Sequence, residues 1–211
     1  YLPFFLMGHF VALISGAEAT GYSPPYAFFI LLSGLVYLIA GLFLLRKLLL
    51  RYFSDITVAL VLVSLVLGTN LFWYASLEAP MTHVYSFALF SLFLVLTASW
   101  YDTHNWKTTL LLGLLSGLIV LIRPANIVLL IFFVFYGIGS PADMKNRLRL
   151  LASRFGSILL MGFMACLVWL PQLIYWKLVS GQWFYYSYTD ETFFFRDPQI
   201  ISGLFSFRKG W

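Results

Sequence analysis

Apolar residues in this chain come in long, nearly unbroken runs, and short polar interruptions mark where one element ends and the next begins. A run of about 20 apolar residues crosses the hydrocarbon core of a bilayer as a helix. The run 26–45 follows Ser23-Pro24-Pro25, where prolines at a helix start sacrifice no internal hydrogen bond, and it leaves into Arg46, Lys47 and Arg51. Ser54 stands where an N-cap belongs, with Asp55 in the positive first turn, and predicts a second span over 56–77. The polar turn Glu78-Ala79-Pro80-Met81-Thr82 leads to a third span over 83–100, and 101–107 forms the next loop.

The stretch 108–139 decides the topology. It is longer than one span needs, and Arg123-Pro124 sits in its middle. Pro124 removes a backbone donor and pushes Arg123 out of helical geometry, so two short helices, 108–122 and 125–139, are expected to meet at a turn. Each rises roughly 22 Å, short of the ~30 Å core, so the shared turn is expected to lie recessed. Ser140-Pro141-Ala142-Asp143 reads as N-cap, N1 and acidic N3 of a surface helix carrying Lys145, Arg147, Arg149 and Arg154. A last span covers 155–176, with a kink expected at Pro171.

With the hairpin, the basic loops fall on one side and hold 8 of the 13 Lys and Arg. A single span over 108–139 would put the most basic loop on the other side, against the bias that collects Lys and Arg in cytoplasmic loops. The outer side then holds 16–25, 78–82, the Arg123 turn and the aromatic tail 177–211, which is too polar to span and suits the interface. The segment 2–14 is either the end of a span or a juxtamembrane helix. The expected fold is all-α, a polytopic transmembrane bundle of about six to seven hydrophobic helices over 1–176, with an interfacial segment over 177–211.

Composition agrees. Of the 211 residues 62% are hydrophobic and 10% charged, against about 25% charged in soluble domains. A water-soluble globule, a disordered chain and a nucleic-acid module are excluded on these numbers, and the net charge of +5 reflects loop bias rather than a nucleic-acid partner. The single Cys166 allows no disulfide within the chain. Tyr1 opens directly into an apolar run and the sequence stops at Arg208-Lys209-Gly210-Trp211, so it reads as a fragment of a larger membrane protein.

There is no glycine-rich lysine loop for nucleotide phosphates, no H-E-x-x-H, and no Cys or His pair at metal-ligand spacing; His9, His83 and His104 lie far apart. Ionisable residues at membrane depth are few and each is a candidate. Arg123, at the turn of two short helices, can hold a phosphate bidentately or can snorkel to headgroups. Asn126, one turn on, can orient that phosphate or cap a helix end. Glu78 and His83 flank the outer turn, able to bind a sugar hydroxyl or relay a proton, or simply to end one helix and open the next. Thr69 and Asn70 are expected to hydrogen-bond a neighbouring helix. Asp190-Glu191 offers either a base or cation ligand, or an exposed polar turn; Arg208 and Lys209 suit phosphate or headgroups. Gly113 and Gly117 form a GxxxG pair that lets two helices approach closely.

The stretch Gly113-Leu-Leu-Ser-Gly117-Leu-Ile-Val-Leu-Ile-Arg123-Pro124-Ala-Asn126 resembles the hairpin of the GT-C membrane glycosyltransferases, the protein mannosyltransferase, aminoarabinose-transferase and rhizobial core glycosyltransferase-like group. Supporting stretches are Leu2 to His9, Gly68 to Tyr74, Thr82 to Phe87 and Leu204 to Gly210. The resemblance implies a multi-pass enzyme of a bacterial inner membrane that moves a sugar from a polyprenyl-phosphate donor to a glycan, lipid or protein acceptor on the outer face. It implies basic residues on the lipid phosphate, with Arg123 in that role, and some members use a divalent cation. The carboxylate that acts as base is expected upstream of Tyr1, so the fragment alone is expected to be inactive. A secondary transporter or lipid flippase with Arg123 as headgroup site is the other reading; such proteins show broken helices in both halves, and only one break is legible here.

Overall fold

The computed structural model describes residues 1–185 and 200–205, and among these every regular element is helical. In chain order they are α1 (Leu2–Ser15), α2 (Pro24–Leu49), α3 (Asp55–Leu67), α4 (Leu71–Ser76), α5 (His83–Thr103), α6 (Trp106–Ile122), a 3-10 helix (Pro124–Leu129), α7 (Leu130–Phe135), α8 (Pro141–Ser153), α9 (Phe155–Ser180) and α10 (Ile200–Phe205). Three of them, α2, α5 and α9, are long and apolar enough to cross a membrane. Four shorter apolar stretches accompany them: α1, α3, α6, and the 3-10 helix continued by α7.

Capping chemistry fixes several starts where the sequence places them. The Ser54 hydroxyl accepts from the Thr57 amide at 3.4 Å, and Ser140 accepts from the Asp143 amide at 3.3 Å. Asn105 caps α6 through the Lys107 amide at 2.9 Å. The third span is α5 from His83 onward, and α6 ends at Ile122 with Arg123 extended (φ −150, ψ 117), as the proline rule requires.

Two expectations need correction. The second span, 56–77, is two helices. The Thr69 hydroxyl donates to the Leu65 carbonyl at 2.6 Å and accepts from the Leu71 amide at 3.2 Å, offering the backbone a local alternative to the helical ladder just after Gly68. Thr69 is therefore bonded within its own segment rather than to another helix, and Asn70 stands at the N-cap of α4 without a side-chain capping bond. The second arm of the hairpin is a 3-10 turn followed by a six-residue α-helix. Pro124 fixes φ at the start and the bonds close at i to i+3, as from the Asn126 amide to the Arg123 carbonyl at 2.9 Å. The last span is α9, which contains Pro171 and ends at Ser180, four residues beyond the expected bound.

The chain forms two compact units, Tyr1–Leu170 and Pro171–Trp211. In the first, α5 is the most enclosed helix and packs on α2 and α6. One core cluster joins Leu38, Leu71, Ala75, Val84 and Tyr85; a second joins Phe93, Trp100, Leu112, Leu115 and Ile119. Small residues set the helix spacing. A Cβ on Gly34 would lie 2.5 Å from the Ala75 carbonyl oxygen, and one on Gly41 would lie 2.6 Å from the Phe87 ring. The GxxxG pair does what its spacing predicts. Hypothetical Cβ atoms on Gly113 and Gly117 would each fall 2.6 Å from the carbonyl oxygens of Met161 and Ala165 of α9. In the second unit, the Lys177 ammonium at the end of α9 donates to the Gly181 carbonyl at 2.8 Å and lies over the Trp183 ring.

Candidate functional site

Two turns meet where α5 begins and α6 ends. The first, 77–82, is held from inside. The buried Tyr85 hydroxyl donates to the Ala79 carbonyl at 2.8 Å and shares a 2.7 Å hydrogen bond with Ser33 of α2. That clamp fixes the turn between Glu78 and His83. The His83 ring opens α5 and stacks on Tyr74 of α4, with centroids 4.0 Å apart and planes 29° from parallel. The stack leaves the edge of the imidazole as its working surface.

The second turn presents Arg123. Its backbone is extended, its side chain is exposed in the chain, and Pro124 supplies no N–H behind it. Asn126 takes the capping role: its side-chain amide donates to the Ile119 carbonyl at 3.1 Å, a group the Arg123 amide also reaches at 3.4 Å. His83 lies within the field of both Arg123 and Glu78, so three of the sequence candidates share one electrostatic environment. The segment after Arg123 borders an open cleft of about 420 Å³, lined by Phe90, Ala125, Asn126, Val128, Leu129, Ile131 and Phe132. It is apolar except for Asn126.

Asp190, Glu191, Arg208 and Lys209 lie outside the described residues. Tyr74 is the member that sequence reasoning missed; no spacing rule announces an aromatic that stacks on a histidine from a different helix. Among the described residues no three His, Cys, Asp or Glu side chains come together.

The two ion pairs among the described residues, Arg46–Asp55 at 2.5 Å and Arg51–Asp102 at 2.9 Å, involve other helix ends, so the Arg123 guanidinium has its donors available for an anion. A guanidinium, an imidazole edge and a carboxylate together bind an anion and orient a hydroxyl next to it. Set against protein-family models, curated proteins and solved structures, the chain matches none.

Proposed function

We propose that the chain is the helical part of a polytopic membrane glycosyltransferase of the GT-C kind, in which Arg123 holds the phosphate of a polyprenyl-phosphate sugar donor. The observation that supports this reading is the exposed Arg123, unpaired among the described residues, at a helix break, with an apolar cleft lined by Ala125 and Asn126 directly after it and His83 within its electrostatic reach. An anionic headgroup and an isoprenoid chain need these two surfaces side by side. In the reaction, the acceptor hydroxyl oxygen bonds the anomeric carbon of the sugar as the carbon–oxygen bond to phosphate breaks. The phosphate leaves with the electron pair. The acceptor proton passes to a carboxylate, which the GT-C resemblance assigns to the first large outer loop. Fixed positive charge in a poorly hydrated site favours such a leaving group more than the same charge in water. His83, braced by Tyr74, and Glu78 would orient the sugar hydroxyls, and Arg208 would add a second cation for the phosphate.

The test is binding of a short-chain polyprenyl phosphate to the chain in nanodiscs. A hydrogen bond to a charged group contributes about 1.5–3 kcal/mol, so Arg123→Ala should weaken binding roughly 10- to 150-fold while Arg123→Lys retains part of it. Unchanged binding by Arg123→Ala removes Arg123 from the site. In the intact enzyme, donor consumed only when acceptor is present distinguishes transfer from flipping.

A further inference from the structure

We propose that α8 is an interfacial helix that docks on anionic phospholipid headgroups, with Lys145 and Arg149 as the cations that meet the lipid phosphates. The reading is independent of the Arg123 site and of any transferase activity.

The cations of the fold are not equivalent. Arg46 and Arg51 are each paired with an aspartate, Asp55 and Asp102. Arg147 is turned inward: its guanidinium lies 3.5 Å from the centre of the Tyr101 ring and donates to the Tyr136 carbonyl. Tyr101 is anchored in turn by a 2.8 Å bond from its hydroxyl to the Phe133 carbonyl. Arg147 is thus a tether, and it fixes which face of α8 looks inward. Met144, Arg147, Leu150 and Leu151 are half-buried along that face, and Leu151 packs on the Trp100 core cluster.

The opposite stripe, Lys145, Leu148, Arg149 and Ala152, follows the i, i+3, i+4, i+7 spacing of one helix side, and all four are exposed. None of the exposed α8 cations has an acidic partner among the described residues. Leu148 is 57% exposed between two of them. A leucine flanked by cations is poorly placed in water and well placed in a headgroup layer, where it enters the acyl boundary while lysine and arginine stems reach the phosphates. Charge complementarity selects the anionic lipid. Zwitterionic headgroups carry no net charge to retain the cations, so the helix and its leucine are not held against them.

The experiment uses the full chain in nanodiscs, with Cys166→Ser removing the native thiol and Leu148→Cys carrying an environment-sensitive apolar fluorophore. Collisional quenching by acrylamide, a neutral quencher, is compared in phosphatidylcholine discs and in discs containing phosphatidylglycerol. Phosphatidylglycerol should protect the label. Each cation is expected to favour the docked helix about fivefold, so Lys145→Gln/Arg149→Gln should return quenching to its phosphatidylcholine level. About 0.5 M salt should do the same to the unsubstituted stripe, because the Debye length then falls to a few ångströms. The salt comparison holds even if the double variant misfolds. Equal quenching in the two lipids overturns the proposal, and so does protection that persists in high salt.

Discussion

Replacing Gly117 by alanine inserts one methyl group at the closest approach of α6 and α9. The new Cβ would stand 2.6 Å from the Ala165 oxygen, 2.8 Å from its Cα and 3.0 Å from the Val168 Cβ, where ordinary contact begins at 3.4 Å. The nearest atoms are backbone, so no rotamer change relieves the overlap, and α9 must withdraw by roughly 0.8 Å along this face. A gap of that size forfeits between about a quarter and a half of the dispersion energy of every pair it separates. Overpacking of this kind costs about 1–3 kcal/mol, offset by the ~0.5–1 kcal/mol that alanine gains over glycine inside a helix, so the net loss centres on about 1 kcal/mol. The structure contains its own control. A Cβ on Gly162, in α9, would meet nothing within 4 Å, so Gly162→Ala should stabilise by about 0.5–1 kcal/mol. Unfolding of the full chain in mixed micelles by added SDS, followed by tryptophan fluorescence, measures both. The two substitutions should have opposite signs. Should Gly117→Ala match or exceed Gly162→Ala in stability, the close α6–α9 approach is not present in the membrane. In Gly113→Ala/Gly117→Ala, one withdrawal of α9 relieves both overlaps, so the double cost should fall short of the two single costs added together.

Tyr85→Phe removes the hydroxyl that joins Ser33 to the Ala79 carbonyl, and should cost about 1–3 kcal/mol in the same assay while loosening the turn beneath Glu78. A stability unchanged within a few tenths would show that the clamp contributes nothing. Thr109→Val preserves shape but leaves the fully buried Trp100 indole N–H without its 2.9 Å acceptor, for a loss of similar size; Thr109→Ser should recover most of it. For Asp143, the Ser140 hydroxyl and then the Gly139 amide hold the carboxyl below its ordinary value of 3.8. A depressed folded-state value means that the cap stabilises α8 above the ordinary carboxylate range and loses that contribution as pH falls through the folded-state value. Amide exchange over 143–147, corrected for intrinsic rates, should therefore accelerate on acidification below about pH 4. Asp143→Asn should remove that acid-dependent step, and its survival in the variant would place the titration elsewhere.

The legible parts of the fold were those governed by one or two neighbouring residues. Ser54, Ser140 and Pro124 act within a single turn, so capping and the proline restriction locate α3, α8 and the α6 end without tertiary information. The break at Gly68-Thr69 is equally local, yet its residues are each tolerated inside a helix, and only the paired use of the Thr69 hydroxyl as donor and acceptor ends α3. Hydropathy does not register this, because 56–77 is apolar on both sides of the break. The roles of Gly34 and Gly41 were hidden for a different reason. Their seven-residue separation is not the four-residue spacing of a GxxxG pair, and they face two different elements, Gly34 against Ala75 of α4 and Gly41 against α5.

For the candidate site, the sequence separates what the structure joins. Glu78 and His83 lie five positions apart, whereas Arg123 is forty residues beyond His83, and each alone has an ordinary explanation as a helix-end residue. The pairing follows from connectivity: α5 and α6 are consecutive and antiparallel, so the start of one must lie at the end of the other, which brings Arg123 into the field of His83. Helix ends in a membrane are where backbone groups lose their intrahelical partners, so a polar residue there has both a structural use and room to act on a ligand. At Asn126 the structural use takes precedence, since its amide caps Ile119. At Arg123 no such use is visible among the described residues: its side chain caps nothing and pairs with neither Glu78 nor any other carboxylate. That difference between two neighbours in one turn is the strongest reason to direct the first substitution at Arg123.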